Sequence, residues 1–163
     1  MKKIFYATII AIMMVGCVGE TDYSAREINW DRDICINCLM GLAEKEYSAQ
    51  AINERSEVIW FDDIGCLTEY MKRDDWKRFA GDGEVKFWVG NCETGDWIDA
   101  EEAFYRYGDR TPMGYGYGAL SSPNDSTYTY AETMERIRQG YTKREQFLKD
   151  KKMLDKHHDD HQH

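Results

Sequence analysis

"YSAQAINERSEVIWFDDIGCLTEYM", residues 47–71, changes its period once, and that change sets the fold. Tyr47 to Ile52 and Glu57 to Phe61 read as two extended segments, joined by a polar turn over Asn53 to Ser56. From Ile64 onward the apolar residues Ile64, Leu67, Tyr70 and Met71 recur at helical spacing, and the charges fall on the other side. The helix is expected to run on through "KRDDWKRF", with Asp62 or Asp63 as its N-cap.

Working outward, the same grammar repeats. "GDGE" (81–84) is a turn, and "VKFWVGN" (85–91) is a strand by its β-branched and aromatic content. "DWIDAEEAFYRY" (96–107) is mostly extended, because its apolar residues form no clean helical stripe. "TPMGYGYGALSS" (111–122) alternates glycine with aromatics, and predicts an irregular loop that leads into a strand. "TYAETMERIRQGY" (129–141) is helical, with Ala131, Met134, Ile137 and Arg138 on one face and Gly140 at the C-cap. The expectation is an α+β fold of two similar ββαβ-type halves, about 42–80 and 84–140, packed together. The compact domain spans 33–140, and the charged segment 141–163 is a helix fraying into a disordered tail.

The amino terminus has a different character. Lys2 and Lys3 precede an apolar run from Ile4 to Val15, broken by Thr8. Roughly 20 apolar residues are needed to span a bilayer, so residues 1–16 read as a signal peptide. The run ends in "MVGC", which resembles a bacterial lipobox: Cys17 is the expected lipidation site and residues 17–32 a tether. The expected location is extracytoplasmic and membrane-anchored, on the outer membrane facing the periplasm in a Gram-negative cell and otherwise at the cell surface. Loss of residues 1–16 moves the formal charge from −9 to about −11. Such a surface repels nucleic acid and carries no polybasic lipid patch.

With Cys17 lipidated, four cysteines remain: Cys35, Cys38, Cys66 and Cys92. All four histidines, His157, His158, His161 and His163, lie in the last seven residues. The domain therefore has no Ser-His or Cys-His catalysis and no histidine-bearing zinc site. It has sulfur instead. In "CINCLM" (35–40) the two cysteines stand three apart, with Met40 two residues beyond; Met113 follows Pro112 in the glycine-rich loop. Thiolate and thioether donors select Cu(I) over harder ions. The same residues also suit a Cys35–Cys38 disulfide with the methionines as core filler, an all-cysteine zinc site, or a redox couple.

"CINCLMG", "FDDIGCLTEYM", "DWIDAEEAFY" and "TPMGYG" resemble, in this order and at about these separations, the blocks of the NosL family of nitrous oxide reductase accessory proteins. The resemblance covers about residues 33 to 140. It implies a copper-binding lipoprotein that helps deliver Cu(I) to nitrous oxide reductase or its assembly machinery, and a fold of two ββαβ-type halves. Carried over by position, it implies a metal site of Cys35, Cys38 and Met40 with Met113. Cys66, in the helix block, reads as structural. Cys92 is open between pairing with Cys66 and a free thiol. The tail histidines are candidates for a secondary site for Cu(II), Ni(II) or Zn(II).

The reading is thus a lipid-anchored Cu(I) metallochaperone and not an enzyme. The competing readings are an extracytoplasmic thiol-disulfide oxidoreductase and a lipoprotein whose cysteines are structural.

Overall fold

Strand β1 (Ala49–Asn53) has all five residues buried, so both of its faces must be covered. It is flanked by β2 (Val58–Phe61) and β3 (Val85–Gly90), and β4 (Trp97–Asp99) joins β3 at the edge. The order is β2-β1-β3-β4, antiparallel throughout. The computed structural model describes residues 20–160, with side chains as far as residue 153. The predicted signal peptide, Cys17, His161 and His163 lie outside the described residues. Among those described, no helix is long and apolar enough to cross a membrane.

One face of the sheet meets helices. Helix α1 (Ile64–Tyr70) starts at Asp63, whose carboxylate accepts from the Gly65 amide at 3.0 Å. Such a cap contributes about 1 kcal/mol. The expected single helix is in fact two. Arg73 is extended, and α2 (Asp74–Ala80) begins again with Asp74 and Asp75 in its first turn, where acidic charge complements the helix dipole. Trp76 of α2 stacks on Phe87 of β3 at 5.9 Å, and the Phe79 carbonyl accepts from the buried Asn53 side chain.

The other face is covered by the segment expected to be a free tether. From residue 20 it lies on the sheet. The Gln50 amide exchanges two bonds with the Arg26 backbone at 2.8 and 3.0 Å, and the Trp88 indole donates to the Tyr23 carbonyl. Gln50 and Trp88 are register partners, hence on one face, while Ala51 and Phe87 share the other. Burial of Gln50 is tolerable because its amide is satisfied. The segment runs antiparallel to β1: Thr21 bonds the Glu54 carbonyl beyond one end, and Cys35 bridges Trp60 near the other.

The second sheet has the order β6-β5-β7, from β5 (Phe104–Tyr107), β6 (Tyr117–Leu120) and β7 (Thr127–Thr129). The α+β class and the two halves are as expected, and each sheet has its first strand between its second and third. In the first half the helices intervene before the third strand. In the second, α3 (Tyr130–Arg138) follows it directly, capped by a reciprocal pair of bonds between Thr129 and Glu132. Gly140, at φ +79, lies one residue beyond the C-cap Gln139 and turns the chain. The buried face of α3 is Thr133, Met134 and Ile137; Ala131 and Arg138 point outward instead. The Thr68 hydroxyl donates to the Met134 sulfur at 3.0 Å, joining α3 to α1. Helix α4 (Lys143–Asp160) carries the charged tail, including the backbone of His157 and His158.

The sheets meet where Asn91 bridges Ala119 and the Cys92 amide donates to the Ala119 carbonyl. A Cβ on Gly118 would run into the Asp109 carboxylate and lie 3.0 Å from the Cys92 Cβ and sulfur, so glycine leaves room for both side chains at this seam.

Candidate metal centre

Residues 34–41 form a tight loop on the open edge of β2. Ile34 bridges Gly41, the Cys35 amide donates to the Met40 carbonyl, and the Leu39 amide donates to the Cys35 carbonyl. The Ile36 amide donates to the Trp60 carbonyl at 2.9 Å and ties the loop to the strand. Closing it forces Leu39 into the left-handed region at φ +62, which costs an L-residue about 1–2 kcal/mol.

Beyond Trp60, β2 ends and the chain turns at Asp62 and Asp63 into α1. That turn brings Cys66 back against Cys35. The sulfurs of Cys35, Cys38 and Cys66 all lie within 4.8 Å of one another. Metal–thiolate bonds of about 2.3 Å put two ligands of one ion about 4 to 4.6 Å apart, so the triangle has the right size. Cys35 and Cys66 are fully buried and Cys38 is half-buried, which makes Cys38 the accessible corner. The four described cysteines are free thiols. The expected alternatives of a Cys35–Cys38 disulfide and a Cys66–Cys92 pair are not formed.

Charge is already distributed unequally. The Cys66 thiol donates to the Cys35 sulfur and, against the opposing effect of burial, holds Cys35 down to about 5. The Cys38 amide also points at that sulfur, at 3.5 Å, and the Asp62 backbone adds a further bond. This is why the negative charge settles on Cys35. Cys66 is pushed up by the same shared bond and then by burial. Cys38 is raised chiefly by burial. The shared bond thus favours the thiolate on Cys35 and the protonated form on Cys38 and Cys66.

Met40 shares the cysteine loop and is 49% exposed. Met113 is half-buried, on a loop docked against the first turn of α1. Two residues before it, the Thr111 hydroxyl donates to Asp63 at 2.5 Å. Two residues after it, the Tyr115 ring covers Gly65, where a Cβ would lie 2.0 Å from the ring. Cys66, read from sequence as structural, instead completes the sulfur cluster. No local spacing announces it, since it stands far along the chain from Cys38. Cys92 lies apart at the sheet seam, 3.4 Å from the Arg106 guanidinium.

No family model matches the chain, and neither does any curated protein. Among solved structures it is similar to the crystal structure of the copper chaperone NosL from Shewanella denitrificans. The identity is 16% and the TM-score 0.49, over 71% of this chain and 88% of that one.

Proposed function

We propose that this protein is a Cu(I) metallochaperone whose cargo is held by Cys35, Cys38 and Cys66, with Met40 and Met113 as candidate thioether donors. The observation that carries the reading is the triangle of three free sulfurs within 4.8 Å. Three soft donors suit Cu(I), whereas a structural zinc site calls for a fourth strong ligand. The described side chains include no histidine to supply one. A low coordination number leaves room for a recipient's ligand to attack at half-buried Cys38. Ion transfer of this kind makes and breaks no bond in an organic substrate, so the protein is not an enzyme.

In the same reading the chain is lipidated at Cys17 and works outside the cytoplasm, supplying copper for nitrous oxide reductase assembly. The course of residues 21–35 supports an orientation. The chain enters the domain beside Glu54, whereas the cluster lies at the opposite end of β1, about 17 Å away at strand spacing. A lipid attached at Cys17 would leave the cluster facing away from the membrane. The histidines of the tail are a separate candidate for borderline ions.

The test is a competitive Cu(I) titration of the reduced protein against a chelator. Cys66→Ala should weaken binding at least as much as Cys38→Ala, and Met40→Ala or Met113→Ala by less. Removal of residues 157–163 should leave the tight site intact. Equal affinity in wild type and Cys66→Ala would refute the triangle. The oxidoreductase reading predicts reduction of a disulfide substrate; it is disfavoured because the thiolate, Cys35, is fully buried.

A further inference from the structure

A cleft of about 440 Å³ opens beside the cysteine loop, between α1, the Tyr115 loop and the junction of α3 with α4. Its volume falls within the range of roughly 300–1,000 Å³ usual for small-molecule sites. Its walls reach the metal centre at two points: Asn37, which stands between Cys35 and Cys38, and Tyr115, whose ring covers Gly65.

The lining is cationic although the protein is acidic. Arg73 donates to the Asn37 carbonyl and lies over the Tyr70 ring, and Arg144 donates to the Tyr115 hydroxyl and lies over that ring. Among the described residues neither pairs with a carboxylate, in contrast to Arg138, which has Glu135. Of the two glutamates on the wall, Glu69 is held by Lys72, and Glu145 makes no ion pair among the described residues. Among the described residues the Asn37 side-chain oxygen, buried at the wall of the cleft, has no hydrogen-bond partner, which costs about 1–3 kcal/mol unless the side chain turns toward a donor in the cleft.

We propose that this cleft binds a small zwitterionic peptide. Its carboxylate would be taken by Arg73 and Arg144, an amide N–H would reach Asn37, and its amino group would face Glu145. Arginine's fork suits a carboxylate in two-point contact, and the orphan acceptor calls for a donor that a simple anion lacks. Resting on the copper reading, the peptide is one that bears a thiol and carries Cu(I). Seated in the cleft, it presents its sulfur-bound ion beside Cys38, and the ion moves by exchange of thiolate ligands with no change of oxidation state.

S-methylglutathione, a zwitterionic peptide whose sulfur cannot bind as a thiolate, tests the cleft without copper. Calorimetric titration of the metal-free reduced protein should detect binding, weakened about tenfold or more in the doubly substituted Arg73→Gln, Arg144→Gln protein. Both side chains are exposed, so the fold should be kept, and a urea midpoint equal to wild type confirms it. Glu145→Gln should weaken S-methylglutathione but leave its N-acetyl derivative unaffected. No binding to wild type, or equal binding to the double variant, overturns the proposal. Inorganic phosphate competing as well as the peptide does so too, since the cleft would then be a plain anion site. Separately, Cu(I) transfer from glutathione should slow in the double variant while transfer from 2-mercaptoethanol does not. Failure of the copper reading would show instead as loss of Cu(I) binding from both donors with peptide binding intact.

Discussion

The Thr111 hydroxyl donates to Asp63 Oδ2 at 2.5 Å, and through that bond the loop carrying Met113 is fixed to the helix carrying Cys66. The two partners are 48 residues apart, and both are buried. Asp63 is at once the N-cap of α1 and the anchor of the opposite half.

Thr111→Val keeps the shape of the side chain but removes one donor from a buried carboxyl, which keeps its bonds from the Gly65 and Tyr115 backbone. The expected loss is about 1.5–3 kcal/mol in a urea unfolding curve, the range for a hydrogen bond to a charged group. If Met113 contributes to the cluster, Cu(I) affinity should fall as well, although Thr111 itself offers no ligand. A Thr111→Val protein as stable as wild type would show that the two halves are held together elsewhere.

Burial pushes the Asp63 carboxyl up to about 6, despite bonds from Thr111 and Gly65 that favour the charged form. The folded protein therefore holds this proton more tightly than the unfolded chain, whose carboxyl titrates near 3.9. Its contribution to stability is greatest below about pH 4 and falls as the pH rises to about 6, by on the order of 3 kcal/mol. Asp63→Asn removes that titration and keeps an oxygen for the cap. The difference in unfolding free energy between the two proteins should change across pH 4–6 and be flat above 7. A difference independent of pH would contradict the assignment.

Cys35 should ionise far below an ordinary thiol. In metal-free reduced protein, thiolate absorbance should show an acidic step near pH 5 from Cys35, with Cys38 and Cys66 pushed above the ordinary thiol range. Cys66→Ala removes the largest stabilising bond, so the step should move upward. At pH 7 Cu(I) loading should then release about two protons per ion, from Cys38 and Cys66. A step that stays at the same pH in Cys66→Ala would mean that the backbone amides alone hold the charge.

Leu39 is a strained apolar residue, 69% exposed, in the middle of the metal loop. Leu39→Gly relieves the left-handed conformation at some entropic cost in the unfolded chain, for a net gain of about 0.5–1 kcal/mol. Leu39→Ala keeps the strain and should gain nothing. Thermal unfolding of the two variants side by side separates these outcomes.

Local order was legible wherever neighbours in sequence decide the geometry. The two extended segments in 47–61, the Asp63 cap and the helical spacing of Ile64 to Tyr70 lead directly to β1, β2 and α1. The split after Tyr70 was not legible, because the apolar spacing continues through Met71 while the backbone departs at Arg73 into a new acidic first turn. Strand β7 was hidden as well: its three residues are ordered by pairing with β5, not by their own pattern. Likewise, nothing in the polar segment near residue 26 shows that its backbone will satisfy a buried Gln50.

By itself the sequence determined the kind of chemistry: soft sulfur, a Cys-x-x-Cys-x-Met loop, and no histidine before residue 157. Only the tertiary structure decided which sulfurs meet. Cys35 is laid beside Trp60 by a strand bridge, and Cys66 follows Trp60 by one turn of chain and half a helical turn. Convergence of Cys66 with Cys35 and Cys38 thus depends on the edge of β2 being open to the loop, a long-range pairing that no residue spacing encodes.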